Sequence, residues 1–157
     1  MEIGGEVFTL GILVQTNYGS RDDLRIEGLA GEAGLQTNED KGSIIMIIAT
    51  DLPLSARQLK RVIKRASVGM ARLGSYIGHG SGEIMVGFTT ADPHEGQESF
   101  RIQRTLREDL MNIPFRAVGE CCEEAIMRSM LEAETVTGFK GHTIRSIREY
   151  LDAPEGF

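Results

Sequence analysis

The sequence predicts a layered mixed α/β or α+β domain, on the strength of three stretches. Ser43 is followed by six consecutive apolar residues over 44–49, mostly β-branched, which is typical of a strand buried on both faces. A helical pattern with a capping signal comes next, over 55–73. A second helical region is expected from about Thr105, after the last predicted strand, with Pro114 opening its main part. The expected order is β, linker, β, α, β, α, α.

The chain opens with a β-rich, mostly apolar segment. Residues 7–16 predict the first strand, and the turn residues that begin at Asn17 end it. Residues 19–42 are glycine-rich and charged, without a sustained apolar period. A linker of this length inside a compact domain is typically functional or disordered, and a self-cleaving linker would satisfy that expectation.

The middle of the chain carries clear helix and strand signals. Ser55 and Gln58 have the spacing of a capping box, and Gly74 ends the apolar helical period that follows. Residues 83–90 predict a strand, and Ser81 and Glu83 share one face if the extended conformation begins near Ser81. The polar segment 91–104 is expected to be an exposed excursion.

The last third predicts two helices. Pro114 is expected in the first turn of the longer one, whose apolar stripe ends before Thr137. Thr143 is expected to cap a short final helix that turns Ile144, Ile147 and Leu151 inward, before Pro154 stops it.

Length and charge limit the function classes. The 157 residues fit a single domain, 1–157, and the net charge of −6 argues against nucleic acid or an anionic membrane as a partner. No apolar run approaches the length of a membrane span, and the N-terminus lacks signal-peptide features. The cysteines, Cys121 and Cys122, are adjacent and unsuited to an ordinary disulfide, so we expect a cytoplasmic protein.

Ser43 and the pair Ser81 and Glu83 are the candidate catalytic residues. From the residues alone, Ser43 fits either a turn serine before a strand or a nucleophile, which would need a base and an oxyanion donor. Ser81 and Glu83 likewise fit either a loop serine and a solvent-facing glutamate or a hydroxyl–carboxylate pair at a pocket rim. Ser81 lacks the flanking glycines of a nucleophile elbow, because His79 and Glu83 occupy those positions.

Other chemistries find less support in the sequence. The segment 78–82 lacks the third glycine of a dinucleotide fingerprint, and no helix follows it. The histidines, His79, His94 and His142, are scattered without ligand spacing, so we expect no metal site.

Four groups of residues form an ordered set of motifs across the chain. They are Gly11–Gly19 (GILVQTNYG), Gly42–Leu54 (GSIIMIIATDLPL), Gly80–Ile84 (GSGEI), and EEAI at 123–126 with EAET at 132–135. In this order they resemble the C-terminal half of the DmpA family of L-aminopeptidase/D-esterases and β-peptidyl aminopeptidases.

The resemblance implies a four-layered αββα sandwich, as in DmpA and ornithine acetyltransferase, and a precursor that cleaves itself between Gly42 and Ser43. Residues 1–42 would then end the first chain and 43–157 would form the second. Ser43 would be the N-terminal nucleophile, Ser81 and Glu83 its hydrogen-bonding and acid/base partners, and Asn17 an oxyanion-stabilising side chain. No metal or organic cofactor is implied.

The resemblance also implies what the protein acts on and assembles with. The substrates would be short peptides, amides or esters, and the chain would form a homo-oligomer or associate with an N-terminal partner chain. Two alternatives stay open. One is an acyl transferase like ornithine acetyltransferase, and the other is a non-catalytic fragment or assembly module, because the resemblance covers only half of the family's length.

Overall fold

A computed structural model describes residues 1–20, 23–26, 42–91 and 102–151. Its centre is a three-stranded sheet in which a middle strand pairs antiparallel with one neighbour and parallel with the other. In spatial order the strands are β3 (Leu10–Asn17), β4 (Ser43–Thr50) and β5 (Gly82–Thr89). A short hairpin of β1 (Glu2–Ile3) and β2 (Glu6–Val7) precedes them. The strand expected over 7–16 is therefore β3, which begins at Leu10 because a hairpin and a two-residue gap come first.

Three helices lie against one face of this sheet. They are α1 (Ala56–Ile63), α2 (Ala66–Arg72) and α3 (Asn112–Leu131), with a single 3₁₀ turn at Glu108–Leu110 before α3. The core forms between the helices and the alternate residues of β4 that point towards them. Its fully buried side chains include Ile44, Met46, Ile48, Val62, Met70, Val118, Cys122 and Ile126.

The predicted capping box is confirmed at the start of α1. The Ser55 hydroxyl accepts from the backbone N–H of Gln58, and the Gln58 side chain accepts from the backbone N–H of Ser55. The single helix predicted to Leu73 is interrupted at Lys64 and Arg65, so that it becomes α1 and α2. Gly74 ends α2 with φ of +103°, a conformation that glycine adopts without strain.

Close packing of the helices depends on glycine. A Cβ on Gly69 of α2 would lie 2.6 Å from the Gly119 carbonyl oxygen of α3.

Pro114 is the third residue of α3 and thus in its first turn, as predicted. A hydrogen bond of 3.0 Å between the hydroxyls of Thr16 and Ser129 ties β3 to the same helix.

The opposite face of the sheet is open in the described part of the chain. The side chains of β4 alternate, so that Ile45 and Ile47 are 39% and 36% exposed while their neighbours are buried. Leu13, Ile84, Val86 and Phe88 extend the apolar surface, with exposed fractions of 49% to 68%. We call these six side chains the open face. The prediction that β4 is buried on both faces is wrong for this structure, because the described helices cover only one side.

The C-terminal region differs from its prediction. A two-stranded hairpin joins β6 (Val136–Thr137) to β7 (Thr143–Ile144), across a 3₁₀ turn at Phe139–Gly141. Thr143 therefore pairs in a strand and does not cap the last helix, α4 (Ile147–Leu151). Ile144 and Leu151 are exposed, since the hairpin and α4 lie beside the core and not over it.

The described residues thus supply one helical layer and one sheet, which are two of the four layers of the expected αββα sandwich. Most of the linker 19–42, most of the excursion 91–104 and the expected stop at Pro154 lie outside the described residues. In the part of the chain that is described, no helix has the length and apolar character needed to cross a membrane.

Candidate active site

Ser43 occupies the first position of β4, at one end of the sheet. It stands opposite Asn17, the last residue of β3, and beside Gly82, the first residue of β5. The side chain of Ser43 is exposed on the same side of the sheet as the open face. A residue at the start of a buried central strand has its main chain fixed by ladders on both sides, while its side chain stays accessible.

Gly82 leaves room for the Ser43 hydroxyl. A Cβ added at Gly82 would lie 3.3 Å from the Oγ atom of Ser43, which is tighter than ordinary packing. The Ser43 hydroxyl therefore lies beside the Cα of Gly82, in space that a larger side chain would fill. Asn17 lies on the same side of the sheet, since directly opposed residues of a ladder point to the same face.

Ser81 and Glu83 form a hydrogen-bonded pair in which the Ser81 hydroxyl donates to a carboxylate oxygen of Glu83. Their shared face is confirmed, because Glu83 and Met85 are half-buried while Gly82, Ile84 and Val86 are exposed. The backbone N–H of Ser81 also donates to the Gly78 carbonyl at 3.0 Å, which fixes the loop before β5.

The four predicted site residues therefore form two pairs. Asn17 and Ser43 lie on the open side of the sheet, whereas Ser81 and Glu83 lie towards the helical side. Gly82 joins the pairs, since it neighbours Ser81 and Glu83 in sequence and Ser43 in the ladder. The two pairs meet at one end of the sheet, on either side of the main chain of β5.

Gly42 is held in a position that only glycine can occupy. A Cβ on this residue would overlap the Cα of Tyr18 and the carbonyl oxygen of Asn17. Its own carbonyl oxygen accepts a hydrogen bond of 3.3 Å from the backbone N–H of Gly82. The sequence analysis predicted neither the close packing of Gly42 nor its hydrogen bond with Gly82. The Gly-Ser-Gly run over 80–82 was the available signal, but a sequence pattern does not reveal a main-chain contact between distant segments.

A cavity of about 340 Å³ opens beside the Asn17 end of β3. Leu73, Ile126 and Met130 form an apolar part of its lining, and Arg145 and Asp23 contribute charged groups. Asn17 also lines the cavity, whereas Ser43, Ser81 and Glu83 do not. The volume lies at the lower end of the range for small-molecule sites.

The cysteine thiols are poor competitors for the role of nucleophile. Burial raises the pKa of Cys122 to about 11, and burial together with Glu124 and Glu120 raises that of Cys121. The reactive form of cysteine is the thiolate, so both residues are held in their unreactive form at neutral pH. Among the residues that the structure describes, no group of three or more acidic, histidine or cysteine side chains could hold a metal ion.

Comparison with known proteins places the chain in a family. The model of peptidase family S58 matches residues 1–144. The chain belongs to peptidase family S58. Among curated members, it is 36% identical to the β-peptidyl aminopeptidase BapA of Sphingosinicella microcystinivorans, over 94% of this chain and 42% of that protein. It is 35% identical to BapA of Sphingosinicella xenopeptidilytica, over 86% and 39% of the two chains.

Solved structures agree with this family assignment. The L-aminopeptidase D-Ala-esterase/amidase of Ochrobactrum anthropi, described as a variant of the Ntn hydrolase fold, matches with a TM-score of 0.81 at 33% identity. A protein of Pyrococcus horikoshii OT3 gives the same TM-score at 44% identity. A β-aminopeptidase of a Burkholderia species gives 0.76 at 32% identity. These matches cover 92% to 96% of this chain and 43% to 44% of the compared chains.

The S58 chain described here therefore spans less than half the length of the relatives and structures that it matches. The resemblance to the DmpA family seen in the sequence is confirmed, and so is the mixed α/β fold.

Proposed function

We propose that this S58 chain is a self-processing aminopeptidase of the N-terminal nucleophile type, in which Ser43 is the nucleophile. The observation that carries the proposal is the placement of Ser43. Its exposed hydroxyl stands at the head of β4 between Asn17 and Gly82, directly after a glycine that no other residue could replace. The family assignment supports peptide or amide hydrolysis as the reaction class.

Self-processing would cut the Gly42–Ser43 peptide bond. Before the cut, the nitrogen of Ser43 is an amide and cannot act as a base, so another group must accept the hydroxyl proton. Glu83 acting through the hydroxyl of Ser81 is the proposed acceptor. Both residues flank Gly82, the ladder partner of Ser43, so this role requires the hydroxyl proton to pass round the main chain of β5 from the open side to the helical side. The cut would leave Ser43 with a free α-amine.

Catalysis would then use two groups of one residue. An α-amine has an ordinary pKa of about 7.7–8.0, so a useful fraction is neutral at physiological pH and can take the proton of the attacking hydroxyl. Attack on a substrate carbonyl would form an ester on Ser43, which water hydrolyses. The proposed role of Asn17 is to donate its side-chain N–H to the oxyanion, on the side where the Ser43 hydroxyl lies.

The proposed substrates are short peptides, amides or esters with a free amino terminus. The family assignment supports this substrate class. The cavity beside Asn17 does not bear on it, because Ser43, Ser81 and Glu83 are not among its lining residues. The similar proteins BapA, the Ochrobactrum anthropi enzyme and the Burkholderia enzyme are all aminopeptidases, which favours hydrolysis over an acyl transfer like that of ornithine acetyltransferase.

The open face supports a second proposal, which concerns assembly. Six large apolar side chains on three adjacent strands form a surface of the kind that soluble proteins cover. We propose that a second copy of the chain or an N-terminal partner chain covers it. Light scattering of the purified protein tests this: a monomer at all concentrations, active without any partner, would contradict it.

Intact-mass spectrometry tests the main proposal. The protein should separate into pieces of residues 1–42 and 43–157, and N-terminal sequencing of the larger piece should begin at Ser43. The Ser43→Ala variant should stay a single chain and should not release the chromophore from aminoacyl p-nitroanilides.

Ser67→Ala is the matched control, because Ser67 is half-buried on α2, away from Ser43, and its hydroxyl donates to the Lys64 carbonyl. It should process and hydrolyse as the unchanged protein does. Processing or hydrolysis by a clean Ser43→Ala preparation would remove Ser43 from the proposed role.

A further inference from the structure

The backbone N–H of Gly82 donates to the carbonyl oxygen of Gly42 at a distance of 3.3 Å. That carbonyl belongs to the peptide bond between Gly42 and Ser43, the bond at which self-cleavage is proposed. The contact lies at the head of the parallel β4–β5 ladder, where Ser43 pairs with Gly82. A main-chain donor thus already points at the oxygen that would become negatively charged during the cut.

The donor and the nucleophile approach this carbonyl from different directions. A ladder hydrogen bond lies in the plane of the sheet, whereas strand side chains stand roughly perpendicular to it. The Ser43 hydroxyl is on the open side, with its Oγ near the Cα of Gly82. A carbonyl is attacked from above its plane, so the N–H of Gly82 can hold the oxygen while the hydroxyl reaches the carbon.

Besides the Gly82 N–H and the Ser43 hydroxyl, close packing of Gly42 also fixes the position of its carbonyl. Gly42 rests against the backbone of Asn17 and Tyr18 so tightly that a Cβ would overlap both residues. The peptide is therefore held between the end of β3 and the start of β5. Fixed placement of this kind reduces the reorganisation that the reaction requires.

We infer that the backbone N–H of Gly82 is the oxyanion donor for self-cleavage between Gly42 and Ser43, an inference that rests on the proposed function. The hydroxyl oxygen of Ser43 bonds to the Gly42 carbonyl carbon, and the carbonyl π electrons move to the oxygen held by Gly82. The carbon–nitrogen bond then breaks, and the nitrogen receives the hydroxyl proton. Water hydrolyses the resulting ester, which leaves a Gly42 carboxylate and a free Ser43 amine.

The length of the hydrogen bond suits this role. At 3.3 Å it is longer than the usual N–H to oxygen distance of about 2.9–3.0 Å, so it stabilises the uncut peptide weakly. Negative charge on the oxygen shortens and strengthens such a bond. An interaction that is stronger in the transition state than in the ground state is one that accelerates the reaction.

Removing this single N–H tests the inference. Glycolic acid in place of Gly82 turns the Ser81–Gly82 amide into an ester, which removes the N–H donor and changes no side chain. We expect self-cleavage to slow by about 100- to 1,000-fold, as for loss of an oxyanion-hole donor. The matched control places glycolic acid at Gly11 of β3, which pairs with Ala49 and where an added Cβ would meet no atom within 4 Å, and should process at the unchanged rate.

Two outcomes distinguish this inference from the proposed function. Cleavage of the Gly82 ester within threefold of the normal rate overturns the inference and leaves Ser43 as nucleophile. No cleavage of the unmodified protein overturns both.

If the Gly82 ester does not fold, the full-length Ser43→Ala protein provides a second measurement. Slowed solvent exchange of the Gly82 amide proton, measured by NMR, supports the inference. Exchange as fast as that of an unpaired amide in the folded, assigned protein overturns it.

Discussion

Asn17 and Ser43 stand directly opposite each other where the antiparallel pair β3–β4 ends. Opposed residues in such a ladder have their Cβ atoms about 4.5–5.5 Å apart. The Asn17 amide and the Ser43 hydroxyl are thus close enough to contact the same small group. The pairing register decides this relationship, since a shift of one residue would turn one of the two side chains to the helical face.

The first prediction concerns Asn17. If its side chain holds the oxyanion, Asn17→Ala should lower kcat by about 100- to 1,000-fold with little change in KM, because the contact strengthens only in the transition state. Steady-state kinetics on an aminoacyl p-nitroanilide measure both constants. Gln15→Ala is the control, since Gln15 is exposed on the same side of β3 two residues away. Equal losses in the two variants would refute a specific role for Asn17.

The second prediction concerns Gly42. Gly42→Ala should destabilise the fold by about 1–3 kcal/mol and block the cut, because the new Cβ would push the peptide away from the backbone of Tyr18. Thermal denaturation and intact mass measure the two effects. Gly11→Ala is the matched control, as its Cβ would meet no atom within 4 Å. Normal processing of Gly42→Ala would show that the close approach is not needed for cleavage.

The third prediction compares two neighbours in β4. Ile48 is fully buried under the helices, whereas Ile47 is 36% exposed on the open face. Ile48→Ala should lower the free energy of unfolding by about 2–5 kcal/mol, and Ile47→Ala clearly less, when measured by urea denaturation in dilute solution. A larger loss for Ile47→Ala at high protein concentration would indicate that assembly covers the open face. Equal losses in dilute solution would contradict the exposure described here.

The fourth prediction concerns pH and the thiol of Cys122. Burial raises the pKa of this thiol from the ordinary value of about 9 to about 11. Between these two pH values the thiol is therefore protonated in the folded protein and ionised in the unfolded chain. This contribution to stability is fully present below about pH 9 and is lost as the pH rises towards 11. Denaturation curves across that window should show falling stability.

Thiol labelling provides an independent check of the same prediction. Iodoacetamide at pH 8 should leave Cys122 almost unmodified in the folded protein and label it readily in guanidinium. Cys121 is only partly buried and should label sooner than Cys122. Rapid labelling of Cys122 without unfolding would show that its surroundings are more open than the core of α3 implies.

Local patterns in the sequence were sufficient for several elements. The apolar run after Ser43 predicted β4, the Ser55 and Gln58 spacing predicted the start of α1, and alternation put Ser81 and Glu83 on one face. These features depend on residues a few positions apart. The short hairpin that contains Thr143 was missed, because its pairing with Thr137 competes with a capping signal of similar strength.

Taken alone, the sequence determined the strand and helix types, the candidate residues Asn17, Ser43, Ser81 and Glu83, and the family resemblance. Only the tertiary structure decided which side of β4 is covered, how Asn17 and Ser43 face each other, and that Gly82 donates to Gly42. The physical reason is that side-chain alternation along a strand fixes which residues share a face. The register between distant strands and the placement of the helices then decide what each face meets.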